Sequence, residues 1–476
     1  MGIVGFYEWI RTNYQPAIKS GIVKPILLNH IYFDLNYLLH LFYNEPTLND
    51  KIKKLEDTIL FVCKKYIPTN SVNLFCDGVA PLAKLLLQRE RRLAQVRKSM
   101  SLDNLDNSSL NFTPGTKFIK TLDSKLINLK NKLENRLSIK VNIQTRECGE
   151  GEIKIKNLIN KNLELNPDSS HMLVTNDGDV LLIVTATMIY KNIYILVKDD
   201  FISIKRIIDL HTEKYGCSQM PQMDFSFLNL FNGNDYFPKL RYITTNKLWL
   251  AYKNALYKYP QGLITEKLEV NKLFLIKILQ NIVANIDYKI LKKTKFNEYN
   301  DRYLDNYLQG LNWCFNMYLT GAYKDNCYMS YRYSPDPLQL IIYLHTNNDI
   351  ILKNTTNNKL DIPDDLGCLL LLPEKALCLM DNNNYKDFIN DHPELYEEER
   401  CTKCSEYNKQ LSIMQKEYKK DDKELKKKIT RMQKDYAYHN NAHSKIDINY
   451  IENIIKNFKE VILDEPMPCQ HRLLIQ

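Results

Sequence analysis

Five short runs in the first two hundred residues have the β-branched and aromatic character of strands: Ile31-Tyr32-Phe33, Val72-Asn73-Leu74-Phe75, Ile139-Lys140-Val141-Asn142-Ile143, Met172-Leu173-Val174 and Ile193-Tyr194-Ile195-Leu196-Val197. Helix-permissive stretches separate most of them. Strands alternating with helices predict βαβ units, and hence an α/β fold with a parallel sheet and helices on both faces. From about Tyr242 the pattern lengthens into amphipathic segments such as 272–288, followed by an aromatic stretch over 318–333 with few strand signals. This predicts a mainly helical second region. In the last 75 or so residues, which are rich in Lys, Glu and Asp, Leu425, Ile429, Met432 and Tyr436 recur at intervals of four, three and four, which makes one apolar helix stripe. The expected division is a core over 1–245, a helical region over 246–400 and a charged helical extension over 401–476.

Composition narrows the classes. With 476 residues, 44% of them hydrophobic, the chain can bury a large core, which excludes disordered and fibrous proteins. Its formal charge of +9 permits an acidic partner such as nucleic acid without requiring one. The 11 cysteines form no regular framework and the N-terminus has no leader pattern, so an intracellular, cytoplasmic placement is expected. Lys191 and Pro373 break the longest apolar runs, so no membrane span is expected.

The acids fall in a telling place. Asp34 and Asp77 close the first two strand runs, and Asp177 and Asp179 follow the fourth. In a parallel sheet these ends share the carboxyl edge, where α/β proteins bind ligands. Glu150 and Glu152 sit at the mouth of the helix expected after Val141, and Asp235 follows another apolar helical run. Any one of these acids alone reads better as a cap or strand end. Seven carboxylates brought together repel one another, and the physical remedy is one or two hard divalent ions, Mg²⁺ or Mn²⁺, on oxygen ligands. Such a pair suits phosphodiester displacement.

A basic constellation points the same way. After Asp77-Gly78-Val79-Ala80-Pro81, Lys84, Gln88, Arg91 and Arg92 fall at i, i+4, i+7 and i+8, on one helix face. Arginine forks beside a lysine charge and an amide suit a terminal phosphate. Taken alone, such a run reads as a solvated basic face.

In order along the chain, GIVGFYEW (2–9), YFDLNYLLH (32–40), DGVAPLAKLLLQRERR (77–92), NFTPGTKF (111–118), GEGEIK (149–154), DGDV (177–180) and FNGNDYFP (231–238) resemble the Xrn-type 5′-to-3′ exoribonucleases, part of the PIN-like and flap-nuclease group. Gly310-Leu311-Asn312-Trp313, the segment 331–335 and the stretch 372–396 look like the family's second conserved region. The resemblance implies a short form of the family, without its large C-terminal domains. It implies that Asp34, Asp77, Glu150, Glu152, Asp177, Asp179 and Asp235 form a metal-binding catalytic cluster, and that Lys84, Gln88, Arg91 and Arg92 accept a 5′-monophosphate. His40 matches the histidine that stacks on the leading bases. The chain departs from the family at Cys148 and Ile153 and in the segment 326–335, where no tryptophan stands and Tyr328 is the nearest stacking candidate.

The reading is a processive, metal-dependent 5′-to-3′ exoribonuclease, monomeric, acting on single-stranded 5′-monophosphorylated RNA with release of mononucleotides. The alternatives are a DNA flap nuclease of the same superfamily and a catalytically silent RNA-binding scaffold; loss of two or more acids would favour the scaffold, and all seven are present. Cys401, Cys404, Cys469 and His471 could supply four zinc ligands, but their spacing matches no standard site, so free thiols are the expectation.

Overall fold

The structure, a computed structural model, describes residues 3, 5–98, 108–145, 147–286, 301–323, 334–347, 362–380, 385–417, 423–440 and 448–463. Contacts divide the chain into two compact units, Met1–Lys84 with Leu122–Lys359, and Leu85–Thr121 with Leu360–Gln476.

The first unit contains a sheet of seven strands: β1 (Ile18–Lys19), β2 (Ile26–Asp34), β3 (Tyr66–Phe75), β4 (Lys140–Gln144), β5 (His171–Val174), β6 (Ile193–Val197) and β7 (Asp200–Ser203), in the order β1-β7-β6-β5-β2-β3-β4. Helices cover both of its sides. The five runs read from sequence fall on β2 to β6, and these five pair in parallel. The sheet as a whole is mixed, because β7 runs antiparallel to β6, and β1 antiparallel to β7. Only Lys198, at φ 55°, and Asp199 separate Val197 from its partner Asp200, and a two-residue connection can only return the chain antiparallel. β1 is only two residues long, and β7 has just Phe201 and Ile202 between polar Asp200 and Ser203, so neither presents an apolar run.

The last four residues of β2 and the last five of β3 are buried without alternation, as expected of strands covered on both faces. Burial therefore tightens toward the carboxyl edge. The second region is helical as expected, with Lys272–Ala284, Asp301–Thr320 and Pro337–Thr346 all in the first unit. The helix Pro221–Leu230 is buried on nearly every side, its polar Gln222, Asp224, Ser226 and Asn229 included, which fixes the loop after it.

In the second unit the buried Arg89 donates from Nη1 to the Leu370 carbonyl at 2.8 Å and from Nη2 to the Leu395 carbonyl, and it lies over the Tyr396 ring at 5.2 Å. On Lys423–Asn440, Leu425 and Ile429 are half-buried and Met432 is buried, while 426–428 are exposed, which is the expected stripe. The Tyr436 side chain lies outside the described residues. Among the described residues no helix is long and apolar enough to cross a membrane.

Candidate active site

The strand ends deliver the acids. Asp34 closes β2 and caps the helix Leu35–Leu41, accepting the Tyr37 N–H at 3.1 Å on Oδ1 and the Thr175 hydroxyl at 3.2 Å on Oδ2. Asp77 lies two residues past β3 and accepts the Gly151 N–H at 2.7 Å. Glu150 is the N-cap residue of the helix Gly151–Leu165, and Glu152 stands in its first turn. Asp177 accepts the Asp179 N–H at 3.0 Å on Oδ1, and Asp179 accepts the Ile3 N–H at 2.7 Å.

Two glycine-bearing loops meet beneath the cluster. Gly78 N–H donates to the Gly149 carbonyl at 2.9 Å, and Gly149 N–H returns to Val79 at 2.8 Å. A Cβ on Gly78 would stand 2.1 Å from the Glu147 carbonyl oxygen, and Gly149 sits at φ +105° with its missing Cβ position 2.4 Å from Tyr323 Cε2. Neither position tolerates a side chain.

Charge is heavily concentrated here. Burial, then Asp77 and Asp177 against the opposing hydrogen bonds, pushes Asp34 up to about 7. Burial, followed by Asp177, pushes Asp179 up to about 7 as well. Glu152 is raised by burial and then by Asp34, Asp77, Glu150 and Asp177. The compensating cation is Lys84, whose Nζ bridges Glu150 Oε1 and Asp235 Oδ2, the latter at 3.0 Å. Burial pulls its pKa down, but Glu150, Asp235 and Glu152 outweigh that and hold it well above the lysine range.

Electrostatically, therefore, all seven acids and Lys84 belong to one cluster. Among the described residues no three His, Cys, Asp or Glu side chains already stand in an arrangement that could hold a metal ion. The donor set is nevertheless all carboxylate and self-repelling, with Asp34, Glu150 and Asp179 buried and the other four half-buried, which is the chemistry that suits a hard divalent cation.

The other expected site residues are placed as follows. Gln88, Arg91 and Arg92 are half-buried and belong to the second unit, so the division between units falls within the helix Leu82–Lys98, just after Lys84. Arg92 donates from Nε to Thr113 Oγ1 at 2.8 Å and from Nη1 to the Gln88 carbonyl at 3.2 Å. None of the three is a fully solvated side chain. His40 is exposed on Leu35–Leu41, which sets aside a core role for it. Tyr328 lies outside the described residues, as do Cys469 and His471; Cys404 is buried and Cys401 half-buried.

Sequence reasoning assigned no role to the two tyrosines around Glu150. Its backbone N–H donates to the Tyr323 hydroxyl at 3.0 Å, and its Oε2 accepts the Tyr236 hydroxyl. Trp313 packs on both rings, at 5.3 Å from Tyr236 and 6.4 Å from Tyr323. Tyr236 lies inside the FNGNDYFP motif, but nothing in a single sequence marks Tyr323.

A parallel-stranded α/β core with a partly buried carboxylate cluster at its carboxyl edge is the class that fold and site define. Within that class, residues 1–199 match the family model described as the XRN 5′-3′ exonuclease N-terminus, which bears out the resemblance carried by the ordered motifs. The chain is similar to 5′-3′ exoribonuclease 2 of Saccharomyces cerevisiae, 25% identical over 250 residues that cover 39% of this chain and 24% of that protein. It is also similar to 5′-3′ exoribonuclease 1 of Schizosaccharomyces pombe, 24% identical over 369 residues, covering 63% and 28%. The chain thus spans about a quarter of the length of these relatives. Among solved structures, the catalytic core of Rad2 in complex with DNA substrate aligns at a TM-score of 0.37 and 16% identity, covering 78% of this chain and 99% of that one.

Proposed function

We propose that this chain is a divalent-metal-dependent 5′-to-3′ exoribonuclease that degrades single-stranded, 5′-monophosphorylated RNA processively to mononucleotides. The observation that carries this reading is the cluster of seven acids on the carboxyl edge of the sheet, with Asp34, Glu152 and Asp179 raised by burial and mutual repulsion. The family match over residues 1–199 supports the reaction class.

Asp34, Asp77, Glu150, Glu152, Asp177, Asp179 and Asp235 would hold one or two Mg²⁺ or Mn²⁺ ions. Bound there, such ions supply the positive charge that phosphodiester hydrolysis needs. The chain itself contributes the buried, low-dielectric wall that strengthens this charge and the hydrogen bonds that fix each carboxylate. Lys84 neutralises part of the cluster. Lys84, Gln88, Arg91 and Arg92 would read the terminal phosphate, and His40 with Tyr328 would stack the leading bases, which holds a strand without sequence preference. The division at 245 and 400, a monomeric state and a cytoplasmic site of action belong to the same proposal.

The test is a time course with end-labelled RNAs bearing 5′-monophosphate, 5′-hydroxyl or 5′-triphosphate, beside a DNA of equal sequence, in Mg²⁺ or Mn²⁺. Mononucleotide release from the monophosphorylated RNA alone is expected. Equal cutting of the DNA, or cutting that begins away from the 5′ end, overturns the reading.

A further inference from the structure

Asp34, Asp77, Asp177, Asp179 and Asp235 are oriented by backbone amides, threonine or lysine, but Glu150 is gripped differently. Its backbone N–H reaches the Tyr323 hydroxyl at 3.0 Å, and its Oε2 receives the Tyr236 hydroxyl while Oε1 faces Lys84. These two phenols come from separate parts of the chain, Tyr236 from the loop after Pro221–Leu230 and Tyr323 from just beyond Asp301–Thr320.

Resting on the exoribonuclease reading, we infer that Tyr236 and Tyr323, braced by Trp313, are positioning residues that set the backbone and carboxylate of Glu150 for metal binding. The loop geometry makes the grip rigid. Gly233, at φ +77°, has its absent Cβ position 2.5 Å from the Lys239 amide nitrogen, and Asn234 Oδ1 accepts the Tyr236 N–H at 2.9 Å, so the turn that presents Tyr236 has little freedom. On the other side, Gly321 sits at φ +68° with its Cβ position 2.3 Å from the Asn157 amide nitrogen, which presses the segment leading to Tyr323 onto the helix that Glu150 caps. The Tyr323 ring then fills the space left by Gly149. A carboxylate held at its amide and at one oxygen has lost most of its rotamer freedom before any ion arrives, and that freedom would otherwise be lost on binding.

Groups that orient metal ligands typically matter by about 10- to 100-fold in affinity or activity. The experiment measures Mn²⁺ binding to the RNA-free full chain by the loss of the free-ion electron paramagnetic resonance signal, beside kcat and KM. The variants are Tyr236→Phe and Tyr323→Phe, which delete a hydroxyl each and keep the rings on Trp313. Tyr252→Phe is the structural comparison, since it removes a buried hydroxyl from Asp224 (Oδ2 at 2.6 Å), a carboxylate outside the seven. Tyr236→Phe should weaken Mn²⁺ binding about 10- to 100-fold and lower kcat at unchanged KM, with rescue at high Mn²⁺, whereas Tyr252→Phe should lower only the melting temperature. Unchanged Mn²⁺ affinity in both active-site variants overturns the inference while wild-type turnover leaves the exoribonuclease reading standing. Weakened Mn²⁺ binding in the two variants, beside a wild type that fails to degrade RNA, supports the grip on Glu150 and sinks the parent reading instead.

Discussion

His171 opens β5, the strand that carries the chain to Asp177 and Asp179, and its burial makes acid stability a sharp test of the fold around the site. It is fully buried, with Tyr32 Oη 3.0 Å from Nδ1, Ser169 Oγ 2.8 Å from Nε2 and the His30 ring stacked at 5.1 Å. Tyr32 receives the Asn162 amide at 2.9 Å, so its own proton is free to point at Nδ1. Ser169 donates to the Asn166 carbonyl at 2.7 Å, which leaves its oxygen to accept from Nε2. The ring is thereby set as a neutral imidazole, and a second proton on Nδ1 would face a donor with no carboxylate nearby among its contacts. Burial, and after it His30, lowers the pKa to about 3. Because the folded value lies below the unfolded one of about 6.5, the unfolded chain binds the proton first as pH falls. Stability is therefore full above about 6.5 and declines below it, by about 1.4 kcal/mol per pH unit, or about 2 kcal/mol between pH 6.5 and 5. The raised carboxyls of Asp34 and Asp179 act in the opposite sense over the range below about 7, so the wild-type curve alone is ambiguous. The difference between wild type and His171→Gln isolates the imidazole. Urea titrations at pH 7.5, 6.5, 5.5 and 5.0 should show the wild type losing about 2 kcal/mol more than the variant across that range. Parallel curves would refute the assignment of a neutral, proton-resistant His171.

Three further outcomes follow from the site. Asp177→Asn keeps the size of the side chain but removes a charge from the cluster, so turnover should collapse while the thermal midpoint holds or rises; near-normal turnover rules out a metal cage at these acids. Arg91→Ala with Arg92→Ala should reduce the preference for 5′-monophosphate over 5′-hydroxyl RNA by about 10- to 100-fold, since one charge-assisted contact contributes about 1.5 to 3 kcal/mol, and an unchanged ratio in competition assays means that the phosphate is read elsewhere. Gly78→Ala drives a Cβ to 2.1 Å from the Glu147 carbonyl oxygen and should part the two loops that exchange hydrogen bonds at Gly149, lowering the melting temperature and weakening Mn²⁺ binding together. A melting temperature equal to wild type would contradict that close approach.

The sequence by itself determined the strands that matter most and the acids they carry. β2, β3 and β5 are legible because the stretches of strand covered on both faces are mostly apolar, and Asp34, Asp77, Asp177 and Asp179 stand out as charges that end or follow such runs. Their shared edge follows from parallel pairing alone. Local spacing also placed Glu150 and Glu152 at a helix mouth and the Leu425, Ile429 and Met432 stripe on a helix, since both are matters of 3.6-residue periodicity. What spacing could not reach is any contact between residues far apart in the chain. The antiparallel edge formed by β1 and β7 left no pattern because β1 has two residues and β7 only two apolar ones between polar ends. Lys84 shares the one-face spacing of Gln88, Arg91 and Arg92, yet its ammonium lies on Glu150 and Asp235, 66 residues from the former, because a buried cation goes where uncompensated carboxylates are concentrated. Tyr236 and Tyr323 become ligands of Glu150 only when two loops and a helix close around it, at sequence separations of 86 and 173. Periodicity records which face of an element is apolar, and the partner that a polar group finds on that face is decided by tertiary packing, where a buried hydroxyl or charge left unpaired costs more than the local pattern can reveal.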